Sequence, residues 1–217
     1  MSPVITLPPP VRPAETAEAS AKRQQIVAGA RQVFMSQGFD AASMGEIARA
    51  AGVSKGTLYV YFENKEQLFE AIVHQECAAQ AEAIFRIDPD DPDVEGVLMR
   101  LLCDYVAFVC RIGATSPVRT VIAIADRMPE VGRHFFESGP GRGILALEAY
   151  LKSQVEAGRL KIDDCNIVAA QLLESSQAPL FKPVIFNVAD PPTEERIAYV
   201  VGIAVRAFMK AYRAVRA

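Results

Sequence analysis

An all-α chain built in two parts is predicted by three features of the sequence. Apolar residues recur at intervals of three and four along nearly the whole chain after Lys22, alternating strand patterns are essentially absent, and no segment repeats at a fixed period. Glycine and proline breaks divide the helical pattern into a short N-terminal set of helices and a longer remainder. With 51% hydrophobic and 23% charged residues over 217 positions, the chain has the composition of a globular protein with a well-buried core.

Each element follows from a local pattern. Residues 1–19 hold a triple proline and no periodic apolar spacing, so a disordered leader is expected there. From Lys22 the positions Ile26, Ala30, Val33 and Phe34 keep helical spacing until Gly38, a natural C-terminal stop. Ser43 stands three residues before Glu46, the capping-box spacing, and opens a short second helix with Ile47 and Ala48 inward before the break at Gly52. Gly45 costs that helix about 1 kcal/mol against alanine, so fraying or close packing is expected at that point. Ser54 caps a third helix carrying Leu58 and Phe62, and Lys65 opens a long fourth one to about Ile87, with Leu68, Phe69, Ile72 and Val73 inward. After the acidic stretch Asp88 to Asp93, helices are expected over 94–113, 117–127, 129–137, 142–157, 164–186 and 193–215. Pro179 and Pro183 are expected to bend or break the penultimate one. The domains are then a leader at 1–19, an N-terminal helical domain at 20–66 and a larger one at 67–217.

Composition excludes several classes of function. No apolar run reaches the roughly 18 residues of a membrane span, and MSPVITLPPP lacks the basic start and apolar core of a signal peptide. A cytoplasmic protein without membrane contact is expected. Cys77, Cys103, Cys110 and Cys165 form no CxxC pair, and His74 and His134 are not spaced with them as metal ligands, so no metal or cofactor is expected. Cys103 and Cys110, seven apart in one helix, lie about 10 Å apart along it and cannot bond. They read as buried small hydrophobes, with a redox sensor as the alternative. A glycine-rich phosphate loop is missing and neither histidine has an evident nucleophile beside it, which argues against an enzyme.

The net charge of −3 argues at first against a polyanion, but the charge is unevenly placed. Between residues 21 and 62 five bases, Lys22, Arg23, Arg31, Arg49 and Lys55, face only Asp40 and Glu46. In the third helix Leu58 and Phe62 mark the core side, and Gly56 and Val60 fall roughly opposite. A glycine on the outer face lets something rigid approach the backbone. Duplex DNA is such an object, because its major groove accepts one helix. On this reading Lys55 reaches the acceptor edge of guanine and Val60 meets a thymine methyl. Tyr59 and Tyr61 reach phosphates, and Lys65 adds charge where the fourth helix opens. Lys22 joins the set as a base at the start of the first helix. The bland alternative is that the tyrosines pack into a neighbouring element. Helix, glycine-containing turn and helix, positive locally, is the pattern of a helix-turn-helix.

The residues Ser43, Ile47-Ala48, Ala51-Gly52-Val53-Ser54, Gly56-Thr57-Leu58-Tyr59, Tyr61-Phe62, Asn64-Lys65 and Leu68 resemble, at their spacing, the DNA-binding domain of TetR-type bacterial transcriptional regulators. The likeness covers about residues 20–70. It implies an all-helical homodimer with a three-helix DNA-binding part and a larger ligand-binding and dimerisation part, most often a repressor released from its double-stranded operator by a small-molecule effector. It further implies DNA contacts at Ser43, Lys55, Gly56, Thr57, Tyr59, Tyr61 and Lys65. The stretch from Val118 to Leu151 also resembles, less specifically, the C-terminal domain of the AefR-like subgroup.

For the larger domain, the last helix is apolar over a wide arc, including Val201, Val205 and Phe208, and the preceding one carries Leu172 and Leu173. These residues are expected at a four-helix dimer interface, the alternative being closure of the monomer core. The middle helices supply Phe85, Tyr105, Phe108 and Phe135, with Cys103, Arg111, Arg119 and His134 as polar groups among them. An effector pocket is expected from Phe85, Tyr105, Phe108, Arg119 and Phe135, although any helical core shows a similar list.

Overall fold

The structure, a computed structural model, describes residues 17–110 and 117–214, without the side chains of 17, 74, 76–82 and 117. The expectations for residues 1–16, His74, Cys77 and Arg111 lie outside the described residues. Ten helices occur among them: α1 Ala17–Ala41, α2 Met44–Ala50, α3 Lys55–Tyr61, α4 Lys65–Ile84, α5 Val94–Cys110, α6 Pro117–Ile124, α7 Pro129–Ser138, α8 Pro140–Glu156, α9 Cys165–Ile185 and α10 Glu194–Tyr212. The chain divides into two compact units between Phe69 and Glu70, inside α4. None of the helices among the described residues is long and apolar enough to cross a membrane.

In the smaller unit, α1 begins at Ala17, so the last residues of the expected leader are helical. Its path breaks at Gly38, with φ 80° and ψ 171°, where the apolar spacing predicts the end. Ile26, Ala30, Ile47, Leu58 and Leu68 are fully buried together. Phe34, Phe39 and Phe69 form a ring cluster with centroids 5.3–5.8 Å apart. The predicted capping box is present: Glu46 N–H donates to Ser43 Oγ, while the Glu46 carboxylate accepts from Ser43 N–H at 3.1 Å and from its hydroxyl at 2.6 Å. Those two bonds hold the Glu46 carboxyl below its ordinary range.

The turn between α2 and α3 is held from both sides. Gly52 adopts φ 63°, which lets Gly52 N–H and Val53 N–H turn back to the carbonyls of Arg49 and Ala48. From α1, Gln25 Nε2 donates to the Ala51 carbonyl at 2.7 Å. Gly29 faces the same residue so closely that a Cβ there would lie 2.6 Å from Ala51 N and 2.7 Å from its Cα. Glycine is required at 29 by contact with backbone, which cannot swing aside.

In the larger unit, α10 packs against α5 and α9, and α8 against α9. Leu98, Leu102, Val106, Leu147, Leu151, Val201 and Val205 are among its most buried core residues. Gly143 of α8 gives room to the Phe85 ring, whose Cζ would lie 2.9 Å from a Cβ at that position. The acidic stretch is a folded connection: Asp88 and Asp91 accept from Asp90 and Asp93 N–H, and Asp93 Oδ1 accepts from Gly96 N–H at the start of α5. Fully buried Gln154 donates to the Pro89 carbonyl at 2.7 Å.

Several helix limits depart from the periodic reading. α4 ends at Ile84, α6 at Ile124, and α9 runs unbroken through Pro179 and Pro183, where a bend or break was expected. A proline in a helix interior costs roughly 3 kcal/mol through its lost N–H bond. Here buried Leu180 and Val184 hold the last turns to the core. Asn187, at φ 59°, closes the helix by letting Val188 N–H reach the Pro183 carbonyl at 2.9 Å.

A methyl at position 29 therefore has to push the α2–α3 turn off α1. Gly29→Ala is expected to destabilise the smaller unit by about 1–3 kcal/mol. Hydrogen exchange of α2 and α3 amides during a urea titration checks this, and unchanged protection would contradict the close approach.

Candidate nucleic-acid interface

α3 is amphipathic in the sense its sequence predicts. Leu58 is fully buried and Phe62, its C-cap, nearly so, while Val60 is 82% and Tyr59 52% exposed. A Cβ added at Gly56 would meet only Ser54 Oγ, at 3.8 Å. The outward face of α3 is thus an exposed valine and tyrosine beside an open strip of backbone. Thr57 and Tyr61 lie at its flanks, half-buried. The Thr57 N–H donates to Ser54 Oγ at 3.0 Å, and the two hydroxyls share a 2.8 Å hydrogen bond. Ser54 thereby caps α3 and ties down Thr57.

The cations expected on this face divide into three groups. Lys55 is exposed at the first position of α3, with its ammonium end lying against Gly45 of α2. Lys22 Nζ donates to Gln25 Oε1 at 3.1 Å, which leaves it on the exposed side of α1. Lys65 is placed differently from the phosphate contact expected of it. Its Nζ donates to the carbonyls of Phe39, Asp40 and Ala42 at 2.9, 3.0 and 3.3 Å and lies 4.7 Å from the Phe39 ring centroid. All three ammonium donors are taken up inside the unit, so Lys65 offers a phosphate its charge and no free N–H. Arg23, which composition alone counts as one more surface base, covers the Phe62 ring at 5.1 Å. Ser43 keeps its hydroxyl in the capping box at the exposed end of α2.

The residues expected to build an effector pocket are brought together only in part. Phe85 and Tyr105 meet, their ring centroids 6.2 Å apart. Burial pushes the Tyr105 phenol upward, the Glu174 charge adds to that, and a hydrogen bond from Gln177 opposes it. Phe108 and Phe135 are half-buried. Arg119 is not a ligand clamp: its Nε and Nη2 donate to the carbonyls of Ile185 and Val184, both at 2.7 Å, capping the C-terminal end of α9.

The two terminal helices present a surface that includes two of the residues expected there. Leu173, Val201 and Val205 belong to the buried core of their own unit, which corrects their placement at an interface. Leu172 and Phe208 are buried as well but border a groove of about 530 Å³ along α9 and α10. Its outer lining includes Gln171, Ser175 and Pro179 on α9 and Tyr199, Ile203, Ala207 and Ala211 on α10. Tyr199 is 60% and Ile203 47% exposed. The signal was present in the sequence as two i, i+4 rows on the sides opposite the core stripes.

Comparison with known proteins agrees with this geometry at two scales. Residues 26–72 match the model for bacterial regulatory proteins of the tetR family, and residues 96–214 match the AefR-like transcriptional repressor, C-terminal domain. The repressor AcnR of Corynebacterium diphtheriae is 34% identical over 67 residues, an alignment spanning 31% of this chain and 35% of AcnR. Among solved structures, the flavonoid-responsive regulator FrrA is 31% identical with a TM-score of 0.75, covering 91% of this chain and 100% of FrrA. A TetR-family transcriptional regulator from Mesorhizobium loti MAFF303099 superposes with a TM-score of 0.83 at 26% identity, over 92% of this chain and 100% of the other.

The bonds of Lys65 make it a stabilising residue of the smaller unit. Lys65→Met is expected to lower that unit's stability by about 1–2 kcal/mol, the low end for hydrogen bonds to a charged group because the site is partly exposed. Urea unfolding of the variant checks the figure, and an unchanged midpoint would remove the role.

Proposed function

The chain belongs to the TetR family of bacterial regulatory proteins, and on that premise we propose that it is a transcriptional repressor. It binds a near-palindromic double-stranded operator as a homodimer, in the cytoplasm, and is released by a small-molecule effector. The observation that carries the DNA-binding part is the outward face of α3, where Gly56 leaves the backbone open and Tyr59 and Val60 stand clear of the fold. A helix so exposed and flanked by Lys55 fits the major groove. Tyr61, Thr57 and Ser43 border the same face and are assigned to the phosphate strands.

Homodimerisation is supported by need and by surface. A seven-residue α3 offers few base contacts, each worth about 1–3 kcal/mol of discrimination, so a second copy related by a twofold axis doubles what one helix supplies. The groove of α9 and α10, lined by Tyr199 and Ile203 with small Ser175, Ala207 and Ala211 beside them, accommodates the same pair of helices from a second chain.

The effector is assigned to the larger unit, where Phe85, Tyr105 and Gln177 combine aromatic faces with hydrogen-bonding groups. FrrA responds to a flavonoid, so aromatic polyphenols are the first class to test on this chain. Control by oxidation of Cys103, Cys110 or Cys165 is disfavoured by the thiols themselves. Burial pushes Cys110 up to about 11 and raises Cys103 and Cys165, which starves each of its reactive thiolate.

Selection of duplexes from a random DNA pool at two salt concentrations tests the whole reading. Enrichment of a near-palindrome that binds more weakly as salt rises is expected, and the absence of any enriched sequence would overturn it. Gly56→Ala should weaken binding to the enriched duplex by tenfold or more while the smaller unit gains up to about 1 kcal/mol from the better helix former. Equal affinity of this variant would remove the close approach. Ile203→Glu should leave the fold intact and shift the protein to a monomer in analytical ultracentrifugation, since an unpaired carboxylate would otherwise be buried between copies. A variant that stays dimeric would place the interface elsewhere.

A further inference from the structure

Arg23 of α1 is held beside α3 without spending a hydrogen bond. Its guanidinium carbon lies 5.1 Å from the centroid of the Phe62 ring, and Phe62 is 3% exposed at the C-cap of α3. A ring packed into the core does not follow a mobile side chain, so the contact fixes the cation relative to the end of α3. The ring draws the charge through its quadrupole and offers no lone pair, which leaves the guanidinium N–H groups their capacity for oxygen acceptors. Among the described residues, no hydrogen bond or ion pair engages the Arg23 side chain. Lys65 is the opposite case, since three carbonyls take up its three donors.

We propose that Arg23 is a phosphate contact of this chain, a guanidinium seated on Phe62 that supplies the backbone clamp the sequence assigns to Lys65. The proposal rests on the DNA-binding reading above. In helix-turn-helix domains the N-terminal residues of the recognition helix meet base edges, and in three-helix members its C-terminal end contacts the sugar-phosphate backbone. Phe62 closes α3, so a cation on its ring stands at the end of the helix that borders phosphates. Gly56 lies about 9 Å earlier along the axis, toward the bases. A guanidinium suits this place because its paired N–H groups match two oxygens of one phosphate. Already held on the ring, Arg23 gives up less side-chain freedom on binding than an unattached lysine would. Phe62 thereby serves twice, as a core residue and as the seat of the cation.

The test uses the full-length protein, the duplex it enriches from a random pool and an unrelated duplex, with affinities measured over a series of salt concentrations. Arg23→Met should weaken both duplexes by a similar factor, about tenfold, and reduce the salt slope by about 1 per protomer. The enriched sequence should stay the same, because a phosphate contact reads no base. Arg23→Lys keeps the charge and should keep the slope, while losing the paired donors and binding more weakly than the wild type. An Arg23→Met slope equal to that of the wild type would overturn the proposal. With a lowered melting temperature as well, that result would make Arg23 a cover for Phe62 and nothing more. A changed base preference at one position of each half-site would also overturn it, by placing Arg23 on a base edge. If the wild type enriches no duplex, the DNA-binding reading fails and this proposal with it; if it does and the slope of Arg23→Met is unchanged, only the role of Arg23 fails.

Discussion

The smaller unit depends on one contact, the approach of α1 to the backbone of Ala51. Gly29 removes the side chain that would hold the two apart, and Gln25, one turn earlier on α1, donates to the Ala51 carbonyl. Ala51 is the C-cap of α2 and opens the turn into α3. A turn pinned at this point has little freedom to rotate α3 about its axis. Leu58 and Phe62 therefore face the core and Gly56 and Val60 face outward, and the open strip on which DNA recognition rests is a consequence of packing at Ala51.

A second constraint concerns helix ends. The last carbonyls of a helix have no partner along the helix, and its dipole favours a cation there. Lys65 answers this at the end of α1, and Arg119 at the end of α9. Both residues are conspicuous in the sequence as bases near a candidate binding surface. Tertiary structure brings each to carbonyls distant in sequence, 23 or more positions for Lys65 and 65 or more for Arg119, which a local pattern does not reveal.

The terminal helices show why an apolar stripe identifies burial without identifying what covers it. Val201 and Val205 lie on the broad stripe of α10 that first attracts notice, and they are buried against their own unit. The groove is formed by the other side, where Tyr199 and Ile203 are followed at the same spacing by Ala207 and Ala211. A helix whose two faces are both apolar has two partners to satisfy, and periodicity ranks neither.

By itself the sequence determined the all-α class, the capping box of Ser43 and Glu46, the stop at Gly38, the inward and outward faces of α3 and the resemblance of residues 20–70 to a DNA-binding domain. All of these are set by interactions within a few residues, so spacing and residue type are enough to find them. Only the tertiary structure decided that α9 runs through two prolines, that Lys65 and Arg119 bind helix-end carbonyls, that Leu173, Val201 and Val205 are core, and that Gly29 makes room for Ala51. Each of those outcomes turns on which surfaces meet across the fold, a competition among long-range contacts that local propensity does not encode.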